Sequence, residues 1–266
     1  MSAWTQEAIV AAAAAWRWVP PDAHQVLTPE YQLVWYPEHY RTFPVVVLWS
    51  RSERPVGELI EEAGQYARVW GHREVHWSVT DATRPTGTEA ELLRRGAPLA
   101  ETAQVLAYDM TAGLSGLAGL PESPGVTWQV VSDEASVRAG QVVDREVWGN
   151  PKAPTDAEIE LALAEAEREL ADWSSFRIVS YLNGEPASFG GCTLVDGVAR
   201  LWGAGTRAAL RGHGAYRVVL ARRMAVAREH GATLVLVKGR VETSAPILRR
   251  AGFRPYGEQR TYLVEV

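Results

Sequence analysis

The stretch Arg211–Tyr216, RGHGAY in the sequence, places two glycines and an arginine where a loop passes into a helical run. Glycine is costly in a folded chain unless the backbone must bend tightly or another group must approach it closely. A helix that follows such a loop presents free N–H groups and the positive end of its dipole, and both attract anions. Gly212 and Gly214 would let a pyrophosphate reach these amides, and Arg211 would add charge-assisted hydrogen bonds. The stretch therefore predicts a phosphate-binding loop.

Two widespread phosphate-binding motifs fit this loop poorly. A P-loop needs Lys and then Ser or Thr after its last glycine, whereas Ala215 and Tyr216 follow Gly214. A dinucleotide-binding fold needs a third glycine where Arg217 stands, and an acid at the end of the next strand, where Lys238 stands. The elements around the loop must therefore define its class.

Periodicity and capping signals predict those elements. Residues 126–132 alternate as a strand, and Asp133 caps the helix that follows. Thr155 and Glu158 form a capping-box pattern at the start of a second helix. The remaining elements are a hairpin over 176–194 that turns at Asn183–Gly184, a strand over 198–204, the helix after Gly214, a strand over 233–237, a short helix over 243–250, and closing strands over 253–256 and 260–266.

The helix after the loop combines an apolar face with several arginines. Its apolar face is formed by Tyr216, Val219, Leu220, Met224 and Ala227, and Gly231 ends it. The arginines Arg217, Arg222, Arg223 and Arg228 are expected on its other faces.

The first half of the chain repeats a looser version of this order. Helical patterns cover 4–18, 56–71 and 89–96, and strand patterns cover 31–36, 41–50, 74–80 and 103–110. Gly, Ser and Pro are frequent between the two halves. We therefore expect an α/β (α+β) fold of two tandem domains, each a mixed, mostly antiparallel sheet flanked by helices, with residues 1–112 in the first domain, 113–125 as linker and 126–266 in the second.

Composition narrows the functional class. With 47% hydrophobic and 22% charged residues the chain is typical of a folded globular protein, and the apolar run 8–21 is too short to span a bilayer. A single cysteine, Cys192, excludes an intramolecular disulfide and a cysteine-rich metal site, so a cytoplasmic location and no metal are expected. A net charge of −5 argues against nucleic-acid binding.

The RGHGAY loop resembles the Arg/Gln-x-x-Gly-x-Gly/Ala signature of the GNAT N-acetyltransferases, and the order of elements after residue 126 matches that fold. Residues 243–253, TSAPILRRAGF, resemble the family's later helix, which normally reads Asn-x-x-Ala-x-x-x-Tyr before Gly-Phe. The resemblance covers the second half of the chain and implies tandem GNAT-like domains, the second of which binds acetyl-CoA. The first half has no glycine motif at the equivalent place, so it is expected to be a degenerate repeat.

The resemblance also implies a mechanism. The pyrophosphate of acetyl-CoA would bind the amides of residues 212–216, and its pantetheine arm would lie in the gap between the strands over 198–204 and 233–237. An amine would attack the thioester carbonyl directly, while a base or a water relay takes its proton and an acid protonates the leaving thiolate. The residues implied to contact the donor are Ala204, Gly205, Thr206, Arg211, Gly212, His213, Gly214, Ala215, Tyr216 and Ser244.

Three positions depart from the family pattern. Tyr216 stands where Gly or Ala is usual, so the start of the helix must make room for a ring. The family's acid tyrosine falls on Leu248, so the candidates for the acid are Tyr256, which is preferred, Tyr262 and water. Ser244 stands where the family has asparagine, and it either contacts the pantetheine or caps its helix.

The candidate base is Glu242, with Glu185 and a water relay as alternatives. A carboxylate beside basic residues keeps a low pKa and is a poor base by itself. Cys192 is expected to be a buried strand residue, not a nucleophile.

Two segments of opposite charge indicate what kind of acceptor the site would bind. Residues 200–260 hold thirteen Lys and Arg against three Asp and Glu, whereas residues 133–172 hold four against eleven. In the family the first two helices and their joining loop, here including 148–156, wall the acceptor site. We expect Asp144, Trp148 and Trp202 to bind a cationic small-molecule amine, since an acid with an aromatic ring suits a cation. A solvated helix face explains the acids of the second helix equally well.

The sequence thus favours an acetyl-CoA-dependent N-acetyltransferase that acts on a small amine as a monomer or homodimer, without nucleic acid or membrane partners. One alternative is a transferase of another acyl or aminoacyl group. The other is a CoA-binding regulator without turnover, suggested by Leu248 at the acid position.

Overall fold

The computed structural model describes residues 3–40, 43–114, 123–149 and 152–266. Most of the predicted linker 113–125, the first two residues of the predicted strand 41–50 and part of the loop 148–156 lie outside these ranges. In chain order the elements are α1 (Gln6–Ala14), β1 (His24–Leu27), β2 (Tyr31–Trp35), β3 (Val45–Ser50), α2 (Val56–Val69), β4 (Glu74–Val79), α3 (Thr88–Arg94), β5 (Leu99–Asp109), β6 (Val126–Val130), α4 (Glu134–Val147), α5 (Asp156–Asp172), β7 (Ser175–Leu182), β8 (Glu185–Val195), β9 (Val198–Thr206), α6 (Ala215–Glu229), β10 (Leu234–Arg240), α7 (Ser244–Arg250) and β11 (Arg254–Glu265).

The chain forms two compact units, each built from several segments. The first unit contains Met1–Ile9, Leu106–Lys238 and Leu248–Arg254, and the second contains Val10–Val105, Gly239–Ile247 and Pro255–Val266. The predicted domains 1–112 and 126–266 are continuous segments, whereas residues 1–9 and 106–112 fall in the unit with most of the second half, and residues 239–247 and 255–266 fall in the unit with most of the first half. For 255–266 the physical reason is strand pairing, because Arg260–Glu265 of β11 pairs antiparallel with Glu74–Val79 of β4.

In the first unit the strands follow the order β5-β10-β9-β8-β7-β6, and β5 belongs to this unit only over residues 106–109. Strands β6 to β9 are antiparallel, and β9 pairs parallel with β10. Asn183 and Gly184, at φ 51° and 87°, form the tight turn between β7 and β8 that the sequence predicts. This order confirms a mixed, mostly antiparallel sheet flanked by helices.

Helices α4 and α5 begin where their capping signals predict. The side chain of Asp133 accepts from the Ser136 amide, and the Thr155 side chain accepts from the Glu158 amide while Glu158 accepts from the Thr155 amide. Apolar residues of both helices pack on β7 and β8 in one core, formed by Val131, Val137, Ala139, Val143, Ile159, Val179 and Phe189. The core therefore covers one face of the sheet that carries β9.

In the second unit the strand order is β1-β2-β3-β4-β11-β5. Trp77 of β4 and Leu59 of α2 are fully buried in its core, and Tyr262 and Val264 of β11 complete that core. The two closing strands predicted at 253–256 and 260–266 are a single strand. Strand β1 was not predicted, because its residues are mostly exposed and lack an apolar alternation.

Within the described ranges, no helix is both long and apolar enough to cross a membrane.

Candidate functional site

The glycine loop leads into α6 as predicted, and its backbone leaves a row of amides without partners in the part of the chain that the structure describes. Gly212 and Gly214 both have φ of 85°, in the left-handed region, and Gly214 is the N-cap of α6 with no side-chain cap. The first backbone bond into the helix runs from the Val218 amide to the Gly214 carbonyl. Among the described residues nothing accepts from the amides of 212–217. An anion would satisfy these donors and meet the positive end of the helix dipole.

The two glycines serve this loop in different ways. A Cβ built on Gly214 would lie 1.9 Å from the Oγ of Ser123, so the end of the predicted linker packs directly on the start of α6. A Cβ built on Gly212 meets nothing within 4 Å among the described residues. Gly212 is therefore the position where a ligand has room, and Gly214 the position where the chain itself comes close.

Strand β9 carries a bulge just before the loop. Phe189 pairs with Gly205 and Gly191 pairs with Trp202, so two residues of β9 stand opposite one residue of β8. Gly203, inside this bulge, has φ of 58°. A bulge of this kind bends its strand and ends regular pairing.

Strands β9 and β10 stop pairing at the same place. Their parallel register ends with Val237 opposite Leu201, although β9 continues to Thr206 and β10 to Arg240. The opening between the two strands thus begins next to the bulge. The resemblance to GNAT proteins predicts a pantetheine arm in this gap.

The predicted donor contacts on β9 are tied to the loop by hydrogen bonds. The Nε of Arg211 donates to the Thr206 carbonyl at 3.3 Å, and the Oγ1 of Thr206 donates to Ser188 at 3.1 Å. Ser188 in turn donates to the Gly205 carbonyl at 2.7 Å. The structure therefore brings Ala204–Thr206 and Arg211–Tyr216 together around one strand end.

The half-buried Tyr216 side chain lies beside the Arg223 guanidinium, so the start of α6 has room for the ring. Burial raises the pKa of its hydroxyl, and the guanidinium of Arg223 beside it counteracts the shift. Arg223 is 1% exposed, so the expectation that it lies off the buried face of α6 is wrong. Its side chain fits because Gly190 leaves space on β8, a relation between distant residues that helical periodicity does not contain.

On the opposite face of the sheet, Trp202 lies over β8. Its ring occupies the space above Gly191, where a Cβ would be 2.4 Å from the Cη2 of the ring, and its Nε1 donates to Thr193 at 2.9 Å. The Arg177 guanidinium lies 5.4 Å from the ring centroid. Trp202 is thus held in place next to the bulge. The other two predicted acceptor residues lie on α4: its C-cap Trp148 is 38% exposed, and Asp144, one turn earlier, is half-buried.

Most carboxylates of the acidic segment are engaged by arginines. Arg207 donates to Glu146 and Glu185 at 2.6 Å each, so the alternative base Glu185 is held in an ion pair. The other pairs are Arg138 with Glu134 and Asp156, Arg145 with Glu158, and Arg177 with Glu165 and Glu169. These carboxylates act mainly as ion-pair partners between elements, and their attraction for a cationic acceptor is correspondingly reduced.

The predicted acid and base lie in the second unit, together with Ser244. Glu242 is exposed in the turn after β10, Tyr256 is half-buried on β11, and Ser244 begins α7. Leu248, at the family's tyrosine position, is fully buried. The roles of Glu242, Tyr256 and Ser244 stay predictions.

Cys192 is fully buried, as predicted. Burial raises the pKa of its thiol to about 12, so the thiol stays protonated at neutral pH and is unsuited to nucleophilic attack. Among the described residues no group of three or more His, Cys, Asp and Glu could hold a metal ion.

Several solved structures share this architecture over most of the chain. A GCN5-related N-acetyltransferase from Kribbella flavida is 18% identical, with a TM-score of 0.64 over 90% of this chain and 88% of that one. A GCN5-related N-acetyltransferase from Sphaerobacter thermophilus is also 18% identical, with a TM-score of 0.64 over 90% and 82%. A tandem GNAT protein from the clavulanic acid biosynthesis pathway is 16% identical, with a TM-score of 0.61 over 96% and 87%.

No protein-family model matches the chain, and no curated protein matches it in sequence. At these identities the likeness to solved structures shows the fold alone. The chain has the fold of tandem GNAT proteins, which the sequence motifs predict.

Proposed function

We propose that this protein is a GNAT-type N-acetyltransferase that transfers the acetyl group of acetyl-CoA to the amine of a small molecule. The observation that carries the proposal is the row of amides at 212–217, which have no acceptor among the described residues and lie next to the point where β9 parts from β10. The fold and the N-acetyltransferase names of its solved neighbours support the same reaction class.

The residues present fit an acyl-CoA donor. The amides of the loop and of the first turn of α6 would bind the pyrophosphate, with Arg211 adding charge from the exposed side. Beside them, the open edge of β9 offers backbone groups that an amide-containing arm could pair with as an added strand. The bound donor supplies an activated thioester.

In the proposed reaction the amine forms a C–N bond to the thioester carbonyl carbon and the C–S bond breaks. The amine proton passes to a base or to water, and the leaving thiolate is released or protonated. Cys192 does not form an acyl intermediate, because its thiol is buried and protonated. Direct attack of the amine on the thioester is therefore the proposed route.

The sharpest test compares two nearly isosteric side chains at Gly212. Both Asp and Asn tolerate the left-handed backbone that this position requires, and the site is open. We expect Gly212→Asn to bind acetyl-CoA within about threefold of wild type, and Gly212→Asp to bind it at least about tenfold more weakly, since only Asp repels a phosphate. Isothermal titration with acetyl-CoA measures both.

Wild-type protein that binds neither acetyl-CoA nor CoA would overturn the proposal. Equal effects of Asp and Asn would show that the loop does not hold the phosphates. Thiol release on an amine panel, with acetyl-CoA and other acyl donors, then distinguishes acetyl transfer from transfer of another acyl group.

A second candidate function is a CoA-binding regulator without turnover. The observation in its favour is Leu248, which is buried in the core where the family places its acid tyrosine. Tight CoA binding without thiol release on any amine would support it.

A further inference from the structure

Arg223 carries a fully buried positive charge, and its hydrogen bonds must offset the cost of that burial. Its guanidinium Nη1 donates to the Gly191 carbonyl at 3.0 Å and to the Trp202 carbonyl at 3.3 Å, and its Nε lies 3.4 Å from the Val219 carbonyl. Within the described part of the chain no carboxylate pairs with it, and burial lowers its pKa. An uncompensated buried charge is expensive, so the contacts that it makes must matter.

Apart from Val219 and Tyr216 of its own helix, the groups that the Arg223 guanidinium contacts lie at the bulge. Gly191 and Trp202 are register partners, the last regular pair of β8 and β9 before Gly203 bends the chain. The guanidinium therefore donates to one carbonyl of each strand at the position where the regular ladder is interrupted. A buried carbonyl without a donor costs free energy, and Arg223 supplies the donors from the helix side.

Gly190 has no side chain and leaves the space that the Arg223 guanidinium occupies. A Cβ built on Gly190 would lie 2.9 Å from the Cζ and the Nη1 of Arg223, and 3.0 Å from the Cβ of Ala204 in the bulge. A side chain at residue 190 would therefore displace the guanidinium or the bulged strand. Arg223 of α6, the bulge of β9 and Gly190 of β8 therefore pack against one another.

We propose that Arg223 is a positioning residue for the acyl donor. It holds the bulge of β9 in the shape that opens the gap toward β10, and so positions the strand edge that receives the acyl-pantetheine arm. This inference rests on the proposed function. Arg223 acts through β9 and touches no phosphate, because its guanidinium is closed off from solvent between α6 and the sheet, where it contacts the bulge and the Tyr216 hydroxyl.

The test distinguishes binding of the acyl-pantetheine end of the donor from binding of its nucleotide end. Binding of acetyl-CoA and of 3′-phospho-ADP, the nucleotide part of CoA, is measured on wild type, Arg223→Met, Arg223→Lys and Gly190→Ala. Arg223→Met fills the space without donors, and Gly190→Ala displaces the guanidinium without removing it. We expect both to weaken acetyl-CoA at least about tenfold while 3′-phospho-ADP changes less than about threefold, since the loss of charged donors is confined to the bulge. Arg223→Lys, which keeps a cationic donor, should recover part of the affinity.

The Gly212→Asp variant is the matched control, because it should weaken both ligands together. Unchanged acetyl-CoA affinity in Arg223→Met or in Gly190→Ala would overturn the inference. Parallel losses of both ligands would overturn it too, since they would indicate a general structural role. If Arg223→Met does not fold, the loss of acetyl-CoA affinity is compared with the loss of 3′-phospho-ADP affinity in Arg223→Lys and Gly190→Ala instead. Wild type that binds neither ligand would refute the proposed function instead.

Discussion

Two adjacent glycines show how single residues organise this site. Gly190 and Gly191 point to opposite faces of β8, and each leaves the space that a large side chain fills. On one face that side chain is Arg223, and on the other it is Trp202. The sequence predicts the hairpin that contains both glycines, but it does not show what they accommodate, because the partners lie on other elements.

Gly191→Ala should destabilise the first unit by roughly 1–3 kcal/mol, because the new methyl group overlaps the Trp202 ring. The ring has little freedom to move, since its Nε1 is bonded to Thr193. Urea unfolding measures the change. Gly87→Ala is the control, because Gly87 has φ of −80° and a Cβ there meets nothing within 4 Å among the described residues.

A combined Gly191→Ala and Trp202→Leu variant should be less destabilised than the sum of the two single variants, because removing the ring removes the overlap. Simple additivity of the two changes would contradict this account of Gly191.

At the scale of elements, the helices and strands of the first unit follow local signals. The caps of α4 and α5 and the turn of the β7–β8 hairpin could be predicted because each depends on residues a few positions apart. The glycine loop could be located for the same reason. The bulge of β9 could not, because it is defined by the register against β8 and by the guanidinium that satisfies it.

The capping box of α5 should make stability depend on acid pH. The Thr155 amide and hydroxyl, followed by Arg145, lower the pKa of Glu158 from 4.5 to about 2. The carboxylate therefore stabilises the folded state fully above pH 4.5, and this contribution is lost as the pH falls toward 2. Glu158→Gln should lower the free energy of unfolding at pH 7, and the difference from wild type should shrink below pH 4.5.

Urea unfolding between pH 7 and pH 3 tests this, with Glu160→Gln as control. Glu160 is exposed on the same helix and makes no ion pair or side-chain hydrogen bond with the described residues. A difference that stays constant across this pH range would show that Glu158 does not act through its charge.

At the scale of the molecule, the contacts of β11 determine which residues belong to the second unit. Tyr262 donates to Glu89 at 2.5 Å, the amide of Leu263 donates to the Pro98 carbonyl at 3.0 Å, and Val266 contacts Gly64 of α2. The sequence pattern of two successive domains does not predict this arrangement, because the pairing of β11 with β4 joins residues far apart in the chain.

A chain that ends after Phe253 should therefore lose the fold of the second unit, because Tyr262 and Val264 are part of its core. Hydrogen exchange of α2 and β4 should show protection in the full chain and little in the shortened one. Adding a peptide of residues 254–266 should restore protection. Gln259→Ala is the control, since it removes one side-chain hydrogen bond to Ser78 and leaves the strand in place. Full protection in the shortened chain would contradict the role of β11.

The position of β11 also has a consequence for biosynthesis. Residues 10–105 emerge from the ribosome early, but the strand that belongs between β4 and β5 is translated late. Folding in order of synthesis is usual for domains, and here it cannot be completed for the second unit until residues 255–266 have left the ribosome. Until then the edges of β4 and β5 that face β11 have no strand to pair with, and such unpaired edges favour association with other chains.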